Sequence, residues 1–273
     1  MANFDVQIEA LVGSSTQTEM DDWMTEGAKE VINILPYQLK IKASSITNLY
    51  ISNTDTTLDM DGKGEILHVT RENADSGYYT PCREIPPSFG DLSNDSTNMM
   101  YYATATDPVY WIDTNSSGNP TLFVKPTPTA AQPAKITHIT YPSIDASAAS
   151  SIANFPDEAE YLVVLYASIK SLQNKMNEMH ALIPVNSDQD GTFTASNTSG
   201  ENQGWEQVRH YIENEEDSEL ARVNIQSLGA EMQQFMSEYD WYKGQQLKLQ
   251  QDYDRGIQML VAQYMPAQPA KGE

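Results

Sequence analysis

The chain has 273 residues and a formal charge of -22, with 16 Lys and Arg against 38 Asp and Glu, so it has bulk for a sizeable core but no basic surface with which to grip nucleic acid. A hydrophobic share of 40% excludes wholesale disorder, and a lone cysteine, Cys82, excludes an internal disulfide. No stretch approaches a membrane span, and Met1-Ala2-Asn3-Phe4-Asp5 lacks the basic start and apolar core of a secretory leader, so synthesis in the cytosol is expected.

Phe4, Ile8, Leu11 and Val12 share one helical face, and Gly13-Ser14-Ser15 ends that short helix. A capping box with Asp in place of Glu, Thr18-Glu19-Met20-Asp21, then starts a further helix. Its apolar face is Trp23, Ala28, Val31 and Leu35, and it runs for about five turns to Pro36. Residues 1–36 are thus read as the N-terminal helices of a helical core.

From 37 to 152 the period changes to two. Strands are expected at Ile66 to Arg71, Tyr78 to Arg83, Val109 to Asp113, Thr121 to Lys125 and Ile136 to Tyr141. The separators, Asp-Gly, Asp-Ser-Gly, Asn-Ser-Ser-Gly-Asn and Thr-Pro-Thr-Ala-Ala-Gln-Pro, are turn chemistry, which predicts an antiparallel sandwich or small barrel. Val109 to Ile112 and Leu122 to Val124 read as one hairpin that Pro126 and Pro128 stop, and Asp59-Met60-Asp61-Gly62 reads as a hairpin turn.

The helical period returns at Asn154-Phe155-Pro156-Asp157-Glu158, where a capping residue, a proline and acids begin a helix over 156–181. Leu162, Leu165, Ile169, Leu172, Met176 and Met179 follow on it at three- and four-residue steps. Residues 184–204 are a polar loop within the C-terminal helical part, 153–264. From Asp217 to Tyr264 there is no proline, and a heptad register runs Ala221, Ile225, Leu228, Met232, Phe235, Tyr239, Tyr242, Gln246, Leu249, Tyr253. Only Gln246 breaks this stripe, which predicts one long helix whose apolar seam must meet another helix. Residues 265–273 form an extended tail containing Met265, Pro266, Ala267, Gln268 and Pro269. The whole is α+β: a bundle of long helices with an inserted antiparallel β domain.

No catalytic or metal residue is assigned and no cofactor is implied, since there is no nucleophile elbow, Cys-His framework, P-loop or dinucleotide glycine pattern. His68, His138, His180 and His210 are isolated. Asn186-Ser187-Asp188-Gln189-Asp190-Gly191 approaches a calcium loop, but Asn197 stands where a bidentate Glu belongs, so a solvated loop is the plainer reading. Paired acids such as Asp21 and Asp22, or Glu215 and Glu216, point about 100° apart on a helix and do not converge on one reacting group.

Two segments, Trp23-Met24-Thr25-Glu26-Gly27-Ala28-Lys29-Glu30-Val31-Ile32-Asn33-Ile34-Leu35-Pro36 and Phe155-Pro156-Asp157-Glu158-Ala159-Glu160-Tyr161-Leu162-Val163-Val164-Leu165-Tyr166-Ala167, together resemble structural proteins of tailed bacteriophages. The segment from Phe155 to Ala167 is similar to the start of the helical core of head-to-tail adaptors, the portal-docking ring proteins of the neck. The resemblance covers the helical parts; the β-rich middle departs from the minimal helical adaptor and would be an insertion.

The resemblance implies a non-enzymatic virion protein in a homo-oligomeric, twelve-fold ring, made in the host cytoplasm and placed at the head-to-tail interface. The portal protein lies on one side, a tail tube or nozzle protein on the other, and genome DNA passes through without specific binding. Ile225, Leu228, Met232, Phe235, Tyr239, Tyr242, Leu249 and Tyr253 would be the subunit-packing seam, and Met265 to Pro269 the portal-binding tail. Alternatives are another neck or tail layer, a scaffold protein whose long helix pairs with itself, and a lytic or nuclease enzyme using acids such as Asp91, Asp107 and Asp113.

Overall fold

A computed structural model of the chain describes residues 2–13, 19–50, 55–73, 77–182, 208, 212 and 218–264. The fold is α+β, with helices at both ends and two four-stranded sheets between them. Helix α1 (Phe4–Val12) buries Phe4, Ile8 and Val12, and α2 (Met20–Ile34) buries Met20, Met24, Gly27, Ala28, Val31 and Ile32. Both stripes are spaced at three and four residues, as a helix with one covered face requires.

The start of α2 differs from the capping-box expectation. Glu19 occupies the N-cap with no side-chain cap bond, and Thr18 lies outside the described residues. Asp21 instead accepts the Ala146 N–H at 2.8 Å, spending its carboxylate on a distant loop. Trp23, read as part of the buried face, is only half-buried, and Met20 and Met24 fill the core in its place.

A short helix, α3 (Tyr37–Lys40), leads into β1 (Ser44–Leu49), β2 (Thr57–Asp59), β3 (Lys63–Glu72), β4 (Tyr79–Pro81), β5 (Arg83–Glu84), β6 (Val109–Thr114), β7 (Pro120–Lys125) and β8 (Ala134–Thr140). One sheet has the order β1-β8-β3-β4 and the other β2-β7-β6-β5. Leu49, Val69, Ala134 and Ile136 from the first meet Leu58, Leu122 and Val124 from the other in a shared apolar layer, so the pair forms a sandwich.

The β6–β7 hairpin pairs Trp111 with Phe123 and Ile112 with Leu122. Its turn is held by the Asn115 carboxamide, which accepts the Ser117 and Asn119 N–H groups, and by Gly118 at φ 83°, a left-handed conformation that suits glycine.

Other strand expectations are corrected. The run Tyr78 to Arg83 is two strands in different sheets, because Pro81 cannot donate to a ladder and the chain changes sheet after it. The turn at Asp59 to Gly62 joins β2 of one sheet to β3 of the other and closes no hairpin. The pairing of β5 with β6 is parallel, whereas the other ladders among the described residues are antiparallel. Strands β1 and β2 are additions to the expected set, since Ser44-Ser45-Ile46-Thr47-Asn48-Leu49 is too polar to show a clear period of two.

Helix α4 (Asp157–Leu182) and α5 (Ser218–Tyr264) are the long helices that follow among the described residues. A larger core joins α1, α2, α4 and the end of α5, and it takes in Ile139 from β8 and Ile144 and Ile152 from the following segment. The 184–204 loop and the 265–273 tail lie outside the described residues.

Candidate subunit-packing site

Helix α4 is the platform on which the long helix rests, and its start is fixed from several sides. Asn154 adopts φ 53°, Phe155 is buried, and Pro156 precedes the first turn. The Glu160 carboxylate reaches back to accept the Ile152 N–H at 2.6 Å, while Lys42 and Glu158 form an ion pair at 2.8 Å. That exposed pair holds the Lys42 ammonium above its usual pKa and the Glu158 carboxyl below its own, in each case chiefly through their mutual hydrogen bond.

Along α4, Ala159, Leu162, Val163, Ala167 and Leu172 are buried. Two glycines set how closely its neighbours approach. A Cβ on Gly27 of α2 would lie 2.7 Å from the Tyr166 ring, and one on Gly256 of α5 would lie 2.6 Å from Leu162 and 2.5 Å from the Tyr161 hydroxyl. Tyr253 of α5 stands beside Tyr166, with ring centres 6.2 Å apart, and donates its hydroxyl to Glu30 of α2 at 3.0 Å. Burial and the Glu30 carboxylate raise the Tyr253 phenol above its ordinary pKa. At the far end of α4, the Lys175 ammonium donates to the carbonyls of Val12 and Gly13 and lies 5.7 Å over the Tyr242 ring.

The seam of α5 therefore divides. Leu249 (3% exposed), Tyr253 (4%) and Leu260 (5%) are sealed against α2 and α4, and Tyr242 is half-buried. Toward the N-terminus the same stripe emerges over its middle, where Phe235 is half-buried, Tyr239 is 38% exposed, Met232 47% and Ile225 44%, before its first member, Ala221, is buried again. Met236 at 65% and Trp241 at 55% widen the apolar surface. The Leu228 side chain falls outside the described set. The cause is length: α4 has 26 residues and α5 has 47, so at about 1.5 Å per residue α5 overshoots its platform by tens of ångströms. Gln246, which interrupts the heptads, is half-buried within the covered part.

Met265, Pro266, Ala267, Gln268 and Pro269 lie outside the described residues, as do the loop residues Asn186 to Asn197. Sequence reading passes over Gly27, Gly256 and Glu30. The isolated glycines are the available signal, since a glycine inside a strong helix pattern marks a close approach.

No catalytic constellation accompanies this surface among the described residues. Asp107 is paired with Arg83 at 3.0 Å, and Asp113 accepts the next residue's N–H at 2.7 Å. His68 is engaged by the Thr137 hydroxyl, and the buried His138 by Thr47 and the Ile139 carbonyl. The half-buried Cys82 thiol is pushed up to about 12 by burial, far from nucleophilic use at neutral pH. A groove between α2, α4 and α5 is lined by Val31, Ile34, Leu35, Leu162, Ile257, Leu260 and Val261, with no polar group to orient a substrate. Among the described residues no cluster of His, Cys, Asp and Glu could hold a metal, and no helix is long and apolar enough to cross a membrane.

No curated protein matches the chain. The sequence model of the SU10 adaptor protein matches residues 5–200, from α1 through both sheets and all of α4, and on this span the chain belongs to the SU10 adaptor protein family, a family of structural phage adaptors.

Proposed function

We propose that the protein is a subunit of an adaptor ring that docks beneath the portal, prolongs the channel for DNA and presents a surface to the tail. The observation that carries this is the divided seam of α5. A stripe that is sealed on its own bundle at Leu249, Tyr253 and Leu260 continues into solvent at Ile225, Met232 and Tyr239. Exposed apolar surface on a rigid helix calls for a neighbour, and in a ring the neighbour is another copy set side by side.

By resemblance to head-to-tail adaptors the ring has twelve copies, and each brings a formal charge of -22. A field of that sign repels phosphate and suits passage of DNA without retention. The 265–273 tail is the candidate contact with the portal, and a tail tube or nozzle protein is the partner on the opposite face. The protein would then sit in the neck of the virion, after assembly in the host cytoplasm.

Native mass spectrometry and electron microscopy of the purified chain, alone and with the cognate portal, test the reading. A closed ring, formed alone or on the portal, is expected. A chain that neither closes nor joins any ring overturns it, and a chain found stacked below a separate adaptor moves it to another neck layer.

A further inference from the structure

The two sheets treat their edges differently. In the sheet β2-β7-β6-β5 both edge strands are short and charged: β2 is Thr57-Leu58-Asp59 and β5 is Arg83-Glu84. Such edges resist pairing with another chain. In the sheet β1-β8-β3-β4 neither edge carries a charge: β1 is Ser44-Ser45-Ile46-Thr47-Asn48-Leu49, without proline, and β4 is Tyr79-Thr80-Pro81, as short as β2, with a proline that leaves the Tyr79 N–H as its one outward donor. Each also has an apolar side chain in solvent at or next to it, Ile46 at 61% and Tyr78 at 76%.

The backbone at both edges is held ready. On β4, the Tyr78 carbonyl accepts from Asn73 and the Cys82 N–H donates to Val69, both toward β3. By alternation the N–H and carbonyl of Tyr79 and the carbonyl of Pro81 face away from β3. The Lys135 ammonium lies 3.8 Å over the Tyr79 ring and pins it. On β1, Ser45 is tied to Thr140 and Thr47 to His138, so these side chains turn inward along β8. Among the described residues no backbone hydrogen bond reaches the outer side of β1 from Ser44 to Thr47, or of β4.

Topology supplies the polarity. Four strands linked by three antiparallel ladders leave β1 and β4 running in opposite directions at opposite edges. We propose that the sheet β1-β8-β3-β4 is continued between copies, with β4 of one subunit adding antiparallel to β1 of the next. That joint is head to tail, the kind that closes into a ring, whereas β1 meeting β1 would stop at a pair. The joint is limited to about three residues, so it fixes the register and tilt of neighbours whose main apolar contact is α5. The inference rests on the ring reading above and deepens it.

Two variants of the full chain test it. Ile46→Lys puts a charge on the edge at a side chain already in solvent, so the melting curve of the single chain should not move, while the fraction in rings should fall about tenfold or more. With the half-buried Cys82 removed by Cys82→Ser in every chain of this arm, Ile46→Cys combined with Tyr78→Cys, treated with a short bis-maleimide, should give a covalent ladder that ends at the ring, and either single variant should give none. Wild-type rings with no loss in Ile46→Lys, or no ladder from the double variant, overturn the sheet joint and leave the ring reading standing. Dimers from Ile46→Cys alone overturn the head-to-tail polarity. A wild-type chain that forms no ring overturns both. Should Ile46→Lys melt early, the cross-linking arm decides.

Discussion

Gly27 shows how one absent methyl group sets the spacing of two helices. Its missing Cβ would meet Tyr166 at 2.7, 3.1 and 3.2 Å, against ring and Cβ atoms close to the α4 backbone that cannot swing away. Gly27→Ala gains about 1 kcal/mol of helix propensity but overpacks at a cost of about 1–3 kcal/mol, so a net loss in chemical denaturation is expected. Gly244 on α5 is the control: nothing lies within 4 Å of its would-be Cβ, and Gly244→Ala should raise stability by up to about 1 kcal/mol. Tyr253 gives the pH dependence of the same bundle. Its phenol pKa is raised by burial first and by Glu30 second, so the fold holds that proton more tightly than the unfolded chain does. The resulting stability is complete below the ordinary phenol pKa of about 10 and is lost as pH rises beyond it toward the raised value. Tyr253→Phe should cost about 0.5–1.5 kcal/mol at neutral pH, through the lost bond to Glu30, and should flatten the alkaline limb of the stability profile. An equally steep limb in the variant would assign the alkaline loss to other groups.

Helix α5 is one element with two environments, and substitutions along its stripe should divide accordingly. Leu249→Ala opens a cavity between helices at a residue 3% exposed and should cost about 2–5 kcal/mol, whereas Met232→Ala, at a residue 47% exposed, should leave the melting curve of the single chain near that of the wild type. Equal losses at both positions would mean that the overhang is covered within one chain. The division also marks what could be read from sequence. Heptad spacing finds the helix and its seam, because three- and four-residue steps are a property of α5 itself. Where cover ends depends on the length of α4 and the level at which it stops, which is a relation between elements that no local pattern encodes. The β region divides in the same way. The β6–β7 hairpin is legible from alternating apolar residues around a turn of Asn, Ser and Gly. Strand β1 is not, because an edge strand needs only one buried end, Leu49, and its other residues read as loop. That Asp59 to Gly62 turns between sheets is equally hidden, since a tight turn has the same local chemistry whichever strand follows. Of the candidate site, the stripe is legible, while Gly27, Gly256 and Glu30, which seat it, are visible only once three helices are placed together.

At the scale of the whole molecule, charge and apolar surface oppose one another. Ion pairs among the described residues include Lys40 with Glu65, Lys42 with Glu158 and Arg83 with Asp107, and with 38 acids against 16 Lys and Arg the chain keeps a large negative excess however its bases are paired. In the proposed ring, copies brought side by side through the α5 overhang would meet as like charges, and the apolar contact would have to outweigh a repulsion that acts at long range. The Debye length is about 30 Å at 0.01 M salt and about 8 Å at 0.15 M, so the repulsion between neighbouring copies is largely unscreened at the lower value and largely screened at the higher. Burial of Ile225, Met232 and Tyr239 does not depend on screening in this range. Association of copies is accordingly expected to tighten as salt rises from about 0.01 M to about 0.15 M, the reverse of an interface built on ion pairs, whose attraction salt would weaken. Sedimentation velocity across a salt series reads this directly. Assembly that weakens with added salt would show that opposite charges hold the copies together, and would displace the apolar stripe from its part in packing.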